Sequence, residues 1–411
     1  TRVSIPSGKA MFYNPTGKFT GDGCTDGFKH TVLFYETADP VPWTKPMEPE
    51  IDVNSPHKSI FWHNSEVGFV LTGDGGRKKI AKAIGSDPEE IIFTSGATES
   101  NNLAIKGSFL YRSKNHNRKK IIIASTEHKC VLEASNSLTS IGAEVIIIKV
   151  NDKGEVNLSQ LKDEIDDEVA LVSIMLANNE IGVIQPIEKI AKICKEHNVW
   201  LHSDAAQAIG NIDVKVNSLG VDLMSISSHK LYGPKGIGCL FVRRRPRVRL
   251  FAQIDGGGQE RLMRSGTLPT PLVVGFSEAM EIIDKNLNNN ISKLKLFRDR
   301  LHNNFLKLDK KMHLNGPALS KNRLPNNLNY YVKGINAAEL TESLGDYVAF
   351  STGSACTTGN IEPSYVLSSI GLTKEEALSS FRISVGLEST IEDIDEAAKI
   401  ICNKIDILRK S

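Results

Sequence analysis

The sequence predicts an α/β protein: a mostly parallel sheet with helices on both faces, followed by a smaller α+β unit. Three observations lead there. Short β-branched runs recur between residues 90 and 242, separated by segments of helical period. The runs are apolar over most of their length, as strands covered on both faces are. Past residue 280 the alternation gives way to a long polar helix. Strand–helix alternation of this kind wraps helices around parallel strands.

The elements follow in order. The first strand, 90–95, runs into Gly96, Ala97 and Thr98. Strands are expected at 120–125 (KIIIAS), 144–150 (EVIIIKV), 170–177 (ALVSIMLA), 199–204 (VWLHSD), 222–227 (DLMSIS) and 238–242 (GCLFV). A helix at 186–197 carries Ile187, Ile190, Ala191 and Cys194 on one face. Residues 281–310 read as the long polar helix. The last helix has Ile394, Ala398, Ile401, Ile405 and Leu408 as one apolar stripe. A short helix at 205–210 with Asp204 as its N-cap is the plain alternative to a functional role for Asp204. The boundaries drawn are an N-terminal extension at 1–32, a large domain at 33–280 and a small domain at 281–411. Within the large domain 33–75 is atypical: Pro40, Pro42, Pro46, Pro49 and Pro56 break any helix, and no element is assigned.

Composition narrows the function. The chain has 411 residues, room for two or three domains at about 150 residues each. With 40% hydrophobic and 24% charged residues it is neither disordered nor collagenous. A net charge of +2 does not announce nucleic acid or an anionic membrane as a partner. No apolar stretch approaches the roughly 18 residues of a membrane span. The six cysteines include no Cys-x-x-Cys pair, so zinc-ribbon and thioredoxin readings fail and a reducing compartment is expected. The first residue is Thr1 rather than Met, so a processed chain or a fragment is expected, with at best a remnant of an organelle-transit segment.

Ligands of open parallel sheets sit beyond the carboxyl ends of the strands. After the first strand, Gly96, Ala97 and Thr98 open a helix, and backbone N–H groups there suit an anion. The plain alternative is an N-cap. Asp204 ends the fifth strand; a buried carboxylate there needs a partner, such as a protonated heterocyclic nitrogen. Lys230, after the sixth strand, is sited to become a desolvated amine of the Schiff-base type, or is an ordinary loop lysine. Ser227 and His229 beside it can donate to a phosphate or merely satisfy the turn. His128 follows the second strand and can stack on a flat ring or move a proton. Cys356 stands in a polar, small-residue segment and reads as an accessible thiol. Cys130, Cys194, Cys239 and Cys402 read as packing residues. A phosphate, a ring nitrogen, an aldehyde and an aromatic face meet in one molecule, pyridoxal 5′-phosphate.

Longer motifs then give a resemblance. They are FTSGATESNNLAIKG, TEHK, SIMLANNEIGVIQP, HSDAAQAIG, SHKLYGPKGIG, GGGQERLMRSGTLPTPLVVG, STGSACTT and EPSYVL. From Ile80 to Leu408 the chain resembles cysteine desulfurases of the iron–sulfur-cluster-assembly type, within the fold-type-I pyridoxal-phosphate enzymes of the class-V aminotransferase family. RRRPRVR followed by TPLVVG is most similar to the mitochondrial and related proteobacterial branch.

The resemblance implies roles. Lys230 matches the lysine that binds the cofactor aldehyde, Asp204 the carboxylate on the pyridine nitrogen, and Gln207 the donor to the ring hydroxyl. His128 matches the stacked histidine, counted among the catalytic residues with Lys230 and Cys356. Ala97, Thr98, Ser227 and His229 match cofactor ligands, and Thr267 a phosphate ligand from the partner subunit, which implies a homodimer. Asn179 and Arg382 match the residues that hold the substrate carboxylate. Cys356 matches the persulfide-forming nucleophile and is a candidate transient iron–sulfur ligand. The implied reaction takes L-cysteine to L-alanine, and the implied sulfur acceptors are an iron–sulfur scaffold protein and tRNA-thiolation relays. The implied setting is the mitochondrial matrix or a mitochondrion-derived organelle, with the bacterial cytoplasm as the alternative.

The chain departs from the family pattern in three places. The Asp-x-x-Ala-Thr-Thr-Pro segment near the family's start reads here as residues 33–40, LFYETADP. Ser228 replaces a usual Gly, which requires a negative φ there. The chain ends at Ser411, where the family usually continues with a tail that docks the scaffold. A selenocysteine lyase and a catalytically degenerate dimeric scaffold of the same fold remain as alternatives, discriminated by cofactor binding and turnover.

Overall fold

Seven strands build the large sheet: β1 (Ile91–Thr94), β2 (Lys120–Ala124), β3 (Glu144–Ile148), β4 (Val169–Ser173), β5 (Trp200–Asp204), β6 (Leu223–Ser227) and β7 (Gly238–Val242). Their order is β1-β7-β6-β5-β4-β2-β3. β7 runs against both its neighbours, and every other pairing is parallel. The carboxyl ends of six strands therefore share one edge, with the start of β7 among them. This is a computed structural model, and it describes residues 73–320, 322–352, 356–357 and 360–410. The extension expected at 1–32, nearly all of the atypical stretch 33–75, and Cys24 lie outside the described residues.

Side-chain alternation along the strands sends residues to two cores. Ile91, Phe93, Ile122 and Ala124 join one cluster with Val172, Leu201, Met224 and Phe241. Ile92, Ile121 and Ile123 face the other way, with Leu171, Leu223 and Leu240. Helices α1 (Gly73–Ile84), α2 (Ala97–His116), α3 (Lys129–Ser137), α4 (Leu158–Glu164), α5 (Ile187–Glu196) and α6 (Val216–Leu219) belong to this part of the chain. They supply Ile80 and Ile190 to the first core and Leu103, Phe109 and Val131 to the second.

Helix α7 (Thr270–Leu308) is 39 residues long and begins well before the expected 281. Val273, Phe276, Met280 and Ile283 pack into the first core of the large sheet. Leu294, Phe297, Leu301 and Phe305, further along the same helix, pack into a separate core. That core covers a second, antiparallel sheet of β8 (Met312–Leu314), β9 (Asn327–Val332), β10 (Ser351–Thr352) and β13 (Ser380–Ser384). β11 (Cys356–Thr357) and β12 (Asn360–Ile361) form a separate two-stranded hairpin. Helices α8 (Ala337–Leu344), α9 (Tyr365–Ser369), α10 (Lys374–Leu378) and α11 (Ile391–Leu408) complete the unit. Ile394, Ala398, Ile401 and Ile405 of α11 are buried, as their stripe predicts.

Two sequence readings are corrected. β3, at one edge of the sheet, is not covered on both faces; Ile147 is 51% exposed. Residues 205–210 form a tight turn rather than a helix. Ala208 and Ile209 donate to the carbonyl of Ala205, but Gly210 has φ +84° and the helical turn does not propagate. Among the described residues no helix is long and apolar enough to cross a membrane.

Candidate active site

The first element of the site is the turn from β1 into α2. Gly96 has φ +152°, a backbone that side-chain-bearing residues rarely adopt. Gly238, at the start of β7, packs directly under it. A Cβ on Gly238 would lie 2.4 Å from the carbonyl oxygen of Ile226 and 2.8 Å from Cα of Gly96. Thr94 Oγ1 lies 2.8 Å from Ser100 Oγ and fastens the turn to the first turn of α2. Ala97 is half-buried and Thr98 exposed at the start of this 20-residue helix. Glu99 accepts from the Ser95 N–H at 2.8 Å and from Arg264 at 2.8 Å.

Beyond β5, the Asp204 carboxylate is buried. Oδ1 accepts from the Ala206 N–H at 2.9 Å, and Oδ2 from Asn101 Nδ2 at 2.6 Å. Burial raises its pKa, against the pull of those two donors and of His128 and Lys230. Here the two neutral donors do not offset the desolvation of the carboxylate, which a protonated ring nitrogen would. Gln207 is half-buried in the turn that follows.

His128 caps α3 after β2. Its Nδ1 accepts from the Cys130 N–H at 3.2 Å. Glu127 before it is wholly buried; Oε1 accepts from the Met175 N–H at 2.7 Å, and Oε2 has no partner among the described residues. Burial first, and then the charge of Asp204, push Glu127 well above the usual carboxylate range.

After β6, residues 228–231 form one turn of 3-10 helix that carries Lys230. Ser228 is not among the residues with positive φ, so its replacement of the usual Gly is accommodated. Lys230 is an exposed residue, yet the surrounding protein lowers its pKa and the Arg382 guanidinium lowers it further, against Asp204. Ser227 Oγ and His229 Nδ1 are 3.0 Å apart. Burial, Lys230 and Lys235 lower the pKa of His229.

The second sheet supplies Arg382, on β13. Its Nη1 donates to the carbonyl oxygen of Asn179 at 2.9 Å. Asn179 sits in a loop after β4 that both sheets hold. Asn178 Oδ1 accepts from the N–H groups of Glu180 and Ile181 at 2.8 and 2.9 Å. The Glu180 carbonyl accepts from Asn327 and Asn329 of β9 at 3.1 and 3.2 Å.

At the carboxyl edge of the large sheet, Asp204 thus lies in the fields of His128 and Lys230, and Lys230 in that of Arg382. Thr98 reaches the group through Cys130. Thr267 is exposed, and no hydrogen bond joins it to the group among the described residues. For Cys356 the backbone alone is described, in register with Ile361 across the β11–β12 hairpin. Among the described residues no group of three or more metal-ligating side chains occurs.

Sequence reasoning missed three supports of this site. Asn101 lay unremarked inside a quoted motif. Cys130, read as packing, is only half-buried, unlike Cys194, Cys239 and Cys402. The third is the buried pair of Arg77 and Glu260. Glu260 accepts from Arg77 Nη1 at 2.7 Å and from the Phe93 N–H at 2.6 Å. Glu260, Arg261 and Leu262 all have positive φ, so the pair holds a strained bend against β1. The charge of Glu260 in an otherwise glycine-rich run was the available signal.

Comparison with known proteins gives the family. The family model described as aminotransferase class-V matches residues 56–397. Cysteine desulfurase IscS of Rickettsia rickettsii (strain Iowa) is 48% identical over 335 residues, covering 81% of this chain and 80% of that protein. Among solved structures, a NifS-like protein superposes with a TM-score of 0.76 at 35% identity, covering 84% of this chain and 90% of that one. SspA in complex with cysteine superposes with a TM-score of 0.65 at 34% identity, covering 79% and 90%. The chain belongs to the class-V aminotransferase family, among the IscS-type cysteine desulfurases.

Proposed function

We propose that this chain is a pyridoxal-phosphate-dependent cysteine desulfurase that converts L-cysteine to L-alanine and keeps the sulfur as a persulfide on Cys356. The observation that carries the reading is the convergence of Lys230, Asp204 and His128, from three strand ends, with Arg382 from the second sheet. The donor set fits the cofactor. A buried carboxylate with only neutral hydrogen-bond donors suits a protonated ring nitrogen. A lysine of lowered pKa suits an aldehyde. The start of α2, with Ala97 and Thr98, suits a phosphate, as do Ser227 and His229. Gln207 is assigned to the ring hydroxyl.

When bound, pyridoxal 5′-phosphate supplies the electron-withdrawing ring that weakens bonds at the substrate Cα. Arg382 and Asn179 hold the substrate carboxylate, which fixes the Cα and its thiol in place. Lys230 and His128 are the groups here able to move a proton. The Cys356 thiolate attacks the substrate sulfur. The S–S bond forms as the C–S bond breaks, and the carbon skeleton takes up a proton and leaves as alanine. Thr267 serves the phosphate of a second copy, which makes the working unit a homodimer.

The persulfide sulfur is proposed to pass to an iron–sulfur scaffold protein. Of the two compartments expected, the Rickettsia relatives support the bacterial cytoplasm. The relatives favour neither the selenocysteine lyase nor the degenerate scaffold. Cys356→Ser tests the central assignment. The variant is expected to keep the cofactor and bind cysteine yet form no persulfide by mass spectrometry. Undiminished desulfuration by that variant would remove Cys356 from the mechanism.

A further inference from the structure

Cys130 has its sulfur inside the active-site group. Sγ lies 3.0 Å from His128 Nδ1 and 3.1 Å from Asn101 Nδ2. The same Asn101 amide donates to Asp204 at 2.6 Å. Asn101 is fully buried, and its Oδ1 has no hydrogen-bond partner among the described residues. Two groups assigned to the cofactor, Asp204 and His128, are therefore joined through two residues that have no assigned contact with it.

The donors in this chain have a direction. An amide N–H only donates, so the Cys130 sulfur accepts from Asn101. The thiol hydrogen can then point at His128 Nδ1, with Thr98 as the other side chain at the sulfur. Burial pushes the Cys130 thiol up to about 11, so it keeps that hydrogen at neutral pH. Nδ1 also accepts from the Cys130 backbone N–H, at 3.2 Å. A neutral imidazole that accepts at Nδ1 carries its proton on Nε2.

We propose that Cys130, anchored by Asn101, is a positioning residue that fixes the ring orientation and the Nε2-protonated form of His128. The backbone N–H at 3.2 Å is a long single restraint, and the thiol at 3.0 Å is the second. With both in place the ring presents one nitrogen, of one kind, to the ligand. Only the kinetic part of the test rests on the desulfurase reading.

The test uses the cofactor-loaded enzyme with 15N-labelled histidine, the His128 signals being those lost in His128→Asn. The wild-type enzyme is expected to show an unprotonated Nδ1 and a protonated Nε2. Cys130→Ser, which keeps a donor and acceptor at this place, is expected to retain that pattern and a kcat within about twofold. Cys130→Ala is expected to mix the two ring forms and to lower kcat roughly tenfold, with the cofactor's visible band retained. A protonated Nδ1 in the wild type overturns the proposal before any variant is made. So does Cys130→Ala with unchanged signals and kcat, or Cys130→Ser behaving as Cys130→Ala. If the His128 pattern follows residue 130 but no form releases alanine, the positioning role stands and the desulfurase reading fails.

Discussion

Arg382, on the small antiparallel sheet, donates to the carbonyl oxygen of Asn179, in the loop after β4 of the large sheet, at 2.9 Å. The proposed carboxylate site thus depends on two sheets with separate cores. A guanidinium held this way presents its remaining N–H groups in a fixed plane, which suits a planar carboxylate. Arg382→Lys keeps the charge and loses the fork. Its kcat/KM for L-cysteine is expected to fall about 10- to 100-fold, as loss of a charge-assisted hydrogen bond implies, with cofactor absorption unchanged. Steady-state alanine release and a visible spectrum check both halves.

Asp204→Asn separates charge from shape. The amide keeps the volume and can still accept from Ala206 or Asn101. It no longer offers the negative charge that favours a protonated ring nitrogen. We expect kcat to fall about 100-fold or more, the scale of losing one preorganised electrostatic partner. Single-turnover alanine formation by the loaded variant is the measurement.

Glu260 and Arg77 form a buried pair against β1. Removing the Glu260 carboxylate takes away the negative charge that offsets burial of the Arg77 guanidinium. Glu260→Gln is expected to cost about 3–5 kcal/mol of stability. The urea midpoint of unfolding reads this directly. The bend at residues 260–262 leads to Thr267, so the variant is also expected to bind cofactor more weakly.

His202 is wholly buried between Ser173 Oγ at 2.8 Å and Ser225 Oγ at 2.9 Å. Burial pushes its pKa down to about 3 from the ordinary 6.5. Between those values the unfolded chain binds a proton that the folded chain does not. The stability tied to the neutral ring is therefore complete above pH 6.5 and is lost as pH falls toward 3. His202→Gln lacks this titration. The stability difference between wild type and variant is expected to shrink by about 1.2 kcal/mol on going from pH 6 to pH 5. Denaturant unfolding at the two pH values measures it.

Much of the fold was legible because its strands are apolar and β-branched. The reading of 120–125 fell within one residue of β2, and 238–242 matched β7. What periodicity could not supply was neighbourhood. Nothing local marks β3 as the edge or Gly238 as the floor of the β1–α2 turn; both follow from sheet order. The turn at 205–210 could be read as a helix because Asp204 is a favourable N-cap, and the chain leaves helical geometry at Gly210, with φ +84°. In the site, Lys230, Asp204 and His128 could be singled out because each follows a strand. Asn101 and Cys130 could not, because each lies inside a helix and meets the others only through a long-range contact.

The most direct measurement is alanine released from L-cysteine, per subunit, by the purified chain with added pyridoxal phosphate and reductant. Multiple turnovers are expected, with a persulfide on Cys356 seen by mass spectrometry when the reductant is omitted. A loaded protein that shows the cofactor's visible band but releases no alanine would contradict the desulfurase assignment.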